Sequence, residues 1–248
     1  MRISLTAQIA ALIGLLVLWE VGLRVFSVSP NMMPRASAVI ADILANPALI
    51  GRGILRTLSE TLIGFAIGAF VGFVFGSLFA ASRVMERMLL PLFVVSQAVP
   101  VIAFGALVVM WFGNGIWSKV VIAAYLTAFP VTVNAFRGMQ SVDPQRIALL
   151  RSFGARPWAI YWRLQVPAAL PDIMAALKLG ISLGLIGAIV GEWFGDTVGL
   201  GILLLQAMYN ENLPRMWAVI VICGVLGIVL YALVEAIERR WVWWKPEI

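Results

Sequence analysis

The chain has 248 residues, 62% of them hydrophobic and 12% charged, with a net charge of +6. Soluble domains carry about 25% charged and 45–50% apolar residues, so this composition excludes an ordinary soluble fold and indicates an integral membrane protein. With no histidine and a single cysteine, Cys223, the sequence also excludes a disulfide framework, cysteine metal sites and histidine-based acid–base chemistry.

Six stretches reach the roughly 20 apolar residues a bilayer requires: 7–26, 58–82, 89–112, 116–136, 173–195 and 216–237. Arg2 precedes the first, but no small-x-small cleavage site follows, and Glu20 and Arg24 continue the helix. It reads as a retained span rather than a cleaved leader. In the second, Gly64, Gly68, Gly72 and Gly76 recur every four residues with Ala80 on the same face. Such a row lets backbones approach closely, either within the chain or against a second subunit. Pro91 and Pro100 in the third span and Pro130 in the fourth are expected to bend or interrupt their helices. Irregular backbone at membrane depth is tolerated where it lines a cavity. On that ground the polar residues Ser96, Gln97, Asn134 and Ser182 are assigned to a central path lined by that backbone. The fifth span carries two further glycine rows and ends in "GEWFGD", where Glu192 serves either structure or the path. Of the remaining intramembrane charges, Lys119 and Lys178 among them, most lie near span ends and are expected to snorkel. After the sixth span, Trp241, Trp243 and Trp244 beside Arg239 and Arg240 suit an anchor in the inner leaflet.

The positive charge sits in the short loops, which marks membrane topology rather than nucleic-acid binding. With the N-terminus inside, the cytoplasmic segments hold eleven basic residues, Arg2 and Lys245 included. The outer segments hold four: Arg35, Arg52, Arg56 and Arg215. Both termini and the 137–172 loop are therefore expected in the cytoplasm. Two enzyme motifs fail on context. Gly180-Ile-Ser-Leu-Gly184 lies inside an apolar helix with no histidine to activate Ser182, and no glycine precedes a lysine, so the chain has no P-loop.

The 137–172 loop is cationic and punctuated by proline. Its spacing predicts a helix over 144–153, capped by Asp143, with Pro144 in the first turn and Gly154 stopping it. Ile147, Leu150 and Phe153 fall on one side, Arg146 and Arg151 on another. A second segment, 157–165, is expected to end at Pro167 and Pro171. The loop is too polar to insert, since each central arginine costs about 2.5–3.5 kcal/mol. The glycine stop and prolines favour a docking element over a helix lying on lipid.

This stretch resembles the EAA loop of ABC importer permeases: Glu-Ala-Ala, three residues, Gly, then Leu-Pro or Val-Pro about a dozen residues later. Gly154 matches the glycine and Val166-Pro167 the distal pair, while Ala148, Leu149 and Leu150 replace Glu-Ala-Ala. "MMPRASAVIADIL", "TLSETLIGFAIGAFVGFVFG", "PLFVVSQAVPVIAFGALVVMWFG", "KVVIAAYLTAFPVTVNAFRG" and "GEWFGDTVGLG" extend the similarity to permeases for nitrate, sulfonate, taurine and related solutes. The resemblance implies an all-α integral membrane protein with the type I importer permease fold, residues 1–248 forming one domain in the bacterial inner membrane. It implies a homodimer, two ABC ATPase subunits that hold the ATP and Mg, and an extracytoplasmic solute-binding protein. This chain itself would be non-catalytic and carry no cofactor. In that family the loop docks on the ATPase, which assigns coupling roles to Asp143, Ile147, Leu150, Arg151, Phe153, Gly154, Ala155, Arg156 and Trp158. "ALLRSFGA" and "SQAVPVIAFGALVVMWFG" look closest to the branch serving thiamine pyrimidine precursors and riboflavin; sulfonate, taurine and nitrate are the alternative solutes. A secondary transporter would show repeated halves or a coupling-ion site. The chain has no internal repeat, and Glu192 stands alone.

Overall fold

The computed structural model describes residues 5–30 and 32–244, all of whose regular elements are helical. Arg2 and Lys245 lie outside the described residues. Helix α1, Leu5–Val25, and the short α2, Ala36–Ala45, precede the 35-residue α3, Pro47–Ala81. Then come α4, Arg83–Ser96; α5, Val101–Phe112; and α6, Ile116–Gln140. The loop helices α7, Pro144–Ser152, and α8, Pro157–Ile160, lead through a π-turn at Tyr161–Gln165 into α9, Val166–Glu192. The chain closes with α10, Leu200–Tyr209, and α11, Leu213–Trp241. Helices satisfy every backbone polar group internally, which apolar surroundings demand. Among the described residues, α3, α6, α8–α9 together and α11 are each long and apolar enough to cross a membrane. The bent pair α4–α5 makes a fifth candidate.

α6 is the central helix, and it is central because glycine allows it. A Cβ on Gly64 would sit 2.5 Å from the Ala123 Cβ, and one on Gly76 2.7 Å from the Ala135 Cβ. At Gly68 it would run into the Ala124 carbonyl oxygen. The ladder of α3 is thus filled by α6 of the same chain. From the other side α9 presses on α6 through Gly187, whose Cβ would lie 2.9 Å from the Ala123 Cα. Thr127 on α6 adds a cross-helix bond, its hydroxyl donating to the Gly180 carbonyl at 3.0 Å. Apolar clusters around Met139 and Ile173 and around Leu185 and Leu230 extend this core towards α11.

Two expectations from sequence need correction. The stretch 89–112 is not one straight span, because α4 and α5 meet at 100°. Three successive tightened bonds, Gln97 to Val94, Ala98 to Val95 and Val99 to Ser96, wind the chain up before Pro100. Proline lacks the N–H to continue and disfavours helical backbone in the residue before it. Pro91 and Pro130, by contrast, lie inside continuous helices. Pro130 is buried, and its carbonyl accepts from the Asn134 side chain one turn on at 2.8 Å.

The second correction concerns 157–165, which does not end at Pro167. Val166 donates to the Tyr161 carbonyl, a bond five residues long, and the chain passes unbroken into α9. Pro167 falls in the first turn after this widened ring, where a missing N–H is tolerated. The helix that carries the fifth candidate span therefore starts at Pro157, ahead of the apolar stretch 173–195, and runs 36 residues to Glu192. The helix of the second likewise begins at Pro47, ahead of the apolar stretch 58–82.

Candidate functional site

The loop after α6 builds a short, defined knob. The Asp143 carboxylate accepts from the Gln145 amide at 2.8 Å and caps α7, with Pro144 at its first position. At the other end Gly154 has φ +78°, a left-handed conformation that costs a side-chain-bearing residue about 1–2 kcal/mol. Two bonds close the turn: Gly154 N–H to the Arg151 carbonyl at 2.9 Å and Ala155 N–H to the Leu150 carbonyl at 3.0 Å. This 5→2 and 6→1 pair is the Schellman arrangement, which answers the carbonyls left open at the end of α7.

What the knob presents differs by face. Ile147 and Leu150 are half-buried against the rest of the chain. Phe153, at the tip, is 79% exposed, and Trp158, just past the turn, is 71% exposed. Arg151 and Arg156 are exposed beside them, while Ala155 is half-buried inside the turn. Trp158 is held by rings rather than by polar bonds, stacked on Tyr161 at 5.9 Å and edge-on to Trp162 at 5.5 Å. The turn thus carries a bare aromatic tip, Phe153, flanked by the exposed cations Arg151 and Arg156.

The residues assigned to a path fall into two groups. Ser96, Gln97, Asn134 and Ser182 are half-buried, with Ser96 and Gln97 at the sharp break between α4 and α5. Tyr125 donates its hydroxyl to the Ser96 carbonyl at 2.5 Å, tying that break to α6. Asn134 and Ser182 bond the carbonyls one turn back, at Pro130 and Lys178. Glu192 is different, for no part of it reaches the surface. Its carboxylate accepts from the Thr57 hydroxyl at 2.5 Å and from the Gly201 amide at the start of α10. Thr57 in turn accepts from the Leu200 amide at 2.9 Å.

Around Glu192 lies an ionic network that sequence reasoning missed. Arg56 pairs with Glu60 at 2.8 Å and with Asp196 at 3.4 Å; Lys119 pairs with Asp196 at 3.5 Å and donates to the Asn114 carbonyl at 3.0 Å. Lys119 does not snorkel: it is wholly enclosed, as is Glu60. Lys178 does not either, since it pairs with Glu238 of α11 at 2.6 Å. The one local signal was Arg56 and Glu60 at helical i, i+4 spacing inside an apolar run.

Residues 49–243 match the family described as "Binding-protein-dependent transport system inner membrane component". The chain is 34% identical to the formylaminopyrimidine transport permease protein ThiX of Halalkalibacterium halodurans, covering 94% of this chain and 93% of that one. It is 30% identical to the riboflavin transport system permease protein RibX of Chloroflexus aurantiacus, over 93% and 87% respectively. Among solved structures, a chain of the MetNI methionine ABC transporter, captured in inward-facing conformations, shares the fold. Its TM-score is 0.70 at 20% identity, with 78% of this chain and 96% of that one covered. A multi-pass helical membrane protein matched over most of its length, this chain belongs to the binding-protein-dependent transport family, the inner-membrane permease subunits of ABC importers.

Proposed function

We propose that two copies of this chain, a single permease domain with both termini cytoplasmic, form the translocation path of an ATP-driven importer. The 137–172 loop docks on a separate ABC ATPase, which holds the ATP and Mg, and an extracytoplasmic solute-binding protein delivers the solute. The observation that carries this reading is the knob: a capped helix, a left-handed glycine turn and Phe153 standing 79% exposed at the tip. A solvated linker has no need of that geometry. Closure of the ATPases moves the knob as a rigid body and switches the permease between its two facing states. For the solute, the relatives named for formylaminopyrimidine and riboflavin support a small heterocycle, such as a thiamine pyrimidine precursor or riboflavin.

The test is Gly154→Val. The left-handed turn strains any β-branched residue, so the segment carrying Arg156 and Trp158 is displaced while the membrane helices stand. The dimer is expected to form and insert normally, while ATPase pull-down weakens at least tenfold or hydrolysis continues without uptake. Normal ATP-dependent uptake in vesicles with full ATPase association defeats the coupling assignment.

A further inference from the structure

Where α3 ends, a cleft of about 560 Å³ separates that helix from α7 and the π-turn. One wall is aliphatic and aromatic surface from the last turns of α3, including Phe73, Val74 and Leu78. The facing wall is Trp158, Tyr161 and Trp162. Among the described residues that line it, Arg151 alone carries a charge, and it forms no ion pair with any described residue. The hydroxyls at the floor are already occupied. Ser77 gives its proton to the Phe73 carbonyl at 2.7 Å, so the Tyr161 hydroxyl, 2.7 Å away, donates to Ser77. Arg151 is the one charged group left to answer in the cleft, with the Gln165 amide as its uncharged polar neighbour.

Position and chemistry converge on one class of ligand. The cleft opens at the end of an apolar spanning helix, beside a cluster of tryptophans, which is the composition of a membrane–water interface. Its apolar wall has the character of acyl chain contact, and an unpaired guanidinium binds phosphate in bidentate fashion. Basic pockets between spanning helices on the cytoplasmic side hold anionic headgroups. A π-turn, rare in itself and frequent at functional sites, widens the wall that carries Tyr161 and Trp162. We infer that the cleft is a binding site for an anionic phospholipid of the inner leaflet, with its phosphate on Arg151 and the head of an acyl chain along Phe73, Leu78 and Trp158. Bound there, the lipid bridges the end of α3 to the coupling helix and stiffens the lever that the ATPase moves. The inference rests on the cytoplasmic placement of the 137–172 loop proposed above.

The probe is tryptophan quenching of the full-length permease in mixed micelles by phosphatidylglycerol or phosphatidylcholine brominated on the acyl chain near the headgroup. Quenching is expected at lower mole fraction with the anionic lipid. The chain has ten tryptophans, so the signal is assigned with the Trp158→Phe, Trp162→Phe double variant, which is expected to lose the anionic-specific component. Arg151→Gln should weaken the phosphatidylglycerol response about fivefold, the equivalent of one interfacial basic residue at about 1 kcal/mol, and leave phosphatidylcholine unchanged. Arg146→Gln, on the same helix but outside the cleft, should leave both responses intact. Equal quenching by the two lipids overturns the site. So does survival of the preference in the tryptophan variant, which places the lipid elsewhere, or an equal loss in both arginine variants, which reduces it to bulk charge. Displacement by millimolar glycerol phosphate makes it a soluble-phosphate site and also overturns it. A reporter after residue 160 active only outside the cytoplasm sinks the functional reading itself; a cytoplasmic reporter with no lipid preference sinks this inference alone.

Discussion

Glu192 joins two helix ends that sequence places eight residues apart. It closes α9, and its carboxylate accepts the Gly201 amide at the start of α10, where the helix dipole favours negative charge. Thr57 completes the clasp by donating to Glu192 while accepting from Leu200. Arg56 and Lys119 pair with the neighbouring Asp196, and Arg56 with Glu60, so Glu192 itself is held by hydrogen bonds rather than by an ion pair. Removing the carboxylate leaves the Thr57 hydroxyl and the Gly201 amide without their acceptor inside the protein, at a cost of about 1–3 kcal/mol each. Glu192→Ala is therefore expected to lower the thermal midpoint in detergent sharply. Glu192→Gln keeps one acceptor oxygen and should fall between Ala and wild type. Three coincident melting curves would show that the clasp contributes nothing. None of this was legible in sequence, where Arg56 and Asp196 stand 140 residues apart and Lys119 reads as an end-of-span cation. Asp143, Pro144 and Gly154 were legible because a cap and a left-handed stop are decided by neighbours along the chain.

Among elements, the α3–α6 contact is decided by what is missing from α3. Every fourth residue lacks a side chain, and the α6 backbone occupies the space. Gly68→Leu must push α6 away, and overpacking of this kind costs about 1–3 kcal/mol or more. Less folded permease should be recovered, with a lower melting temperature. Gly224→Leu on α11, where an added Cβ meets nothing within 4 Å, should be near neutral. If the two variants behave alike, the ladder is not a contact face. The periodicity showed that a close approach existed but not with which helix, since a row of small residues serves either partner equally. The π-turn was hidden for a different reason. Two prolines four apart read as a stop, whereas a single widened ring carries the helix past Pro167. A π-turn is in effect one inserted residue. Deleting Arg163 should restore regular winding and rotate α7 and α8 by about 100° relative to α9. Membrane insertion is expected to survive and ATPase pull-down to be lost. Retained coupling in that deletion shows that the phase of the knob does not matter.

For the whole molecule, the question is where a solute passes. The α3–α6–α9 core is sealed by glycine contacts and offers no route through its centre. α4 and α5 differ: α4 has no fully buried residue, the pair folds back at 100°, and the bend exposes non-helical backbone from Gln97 to Pro100. Such backbone persists at membrane depth only inside protein or against a water-filled cavity. Proline made the break readable in sequence, but its angle is set by packing, including the Tyr125 bond to Ser96. In the proposed dimer this bend should face the axis, with Asn134 and Ser182 farther along the same route. With Cys223 first replaced by alanine, Ser96→Cys and Gln97→Cys are expected to react with a small water-soluble thiol reagent, at rates differing by tenfold or more between nucleotide-free and ATP-bound transporter. Thr61→Cys, fully enclosed on α3, provides the unreactive reference, and Leu62→Cys, exposed on the same apolar helix, the lipid-facing one. If neither bend position reacts above those references in any nucleotide state, the route does not pass the α4–α5 break. Reaction at a constant rate in every state places the bend in water but not at a gate, because a residue at a gate must change its exposure as the two halves move.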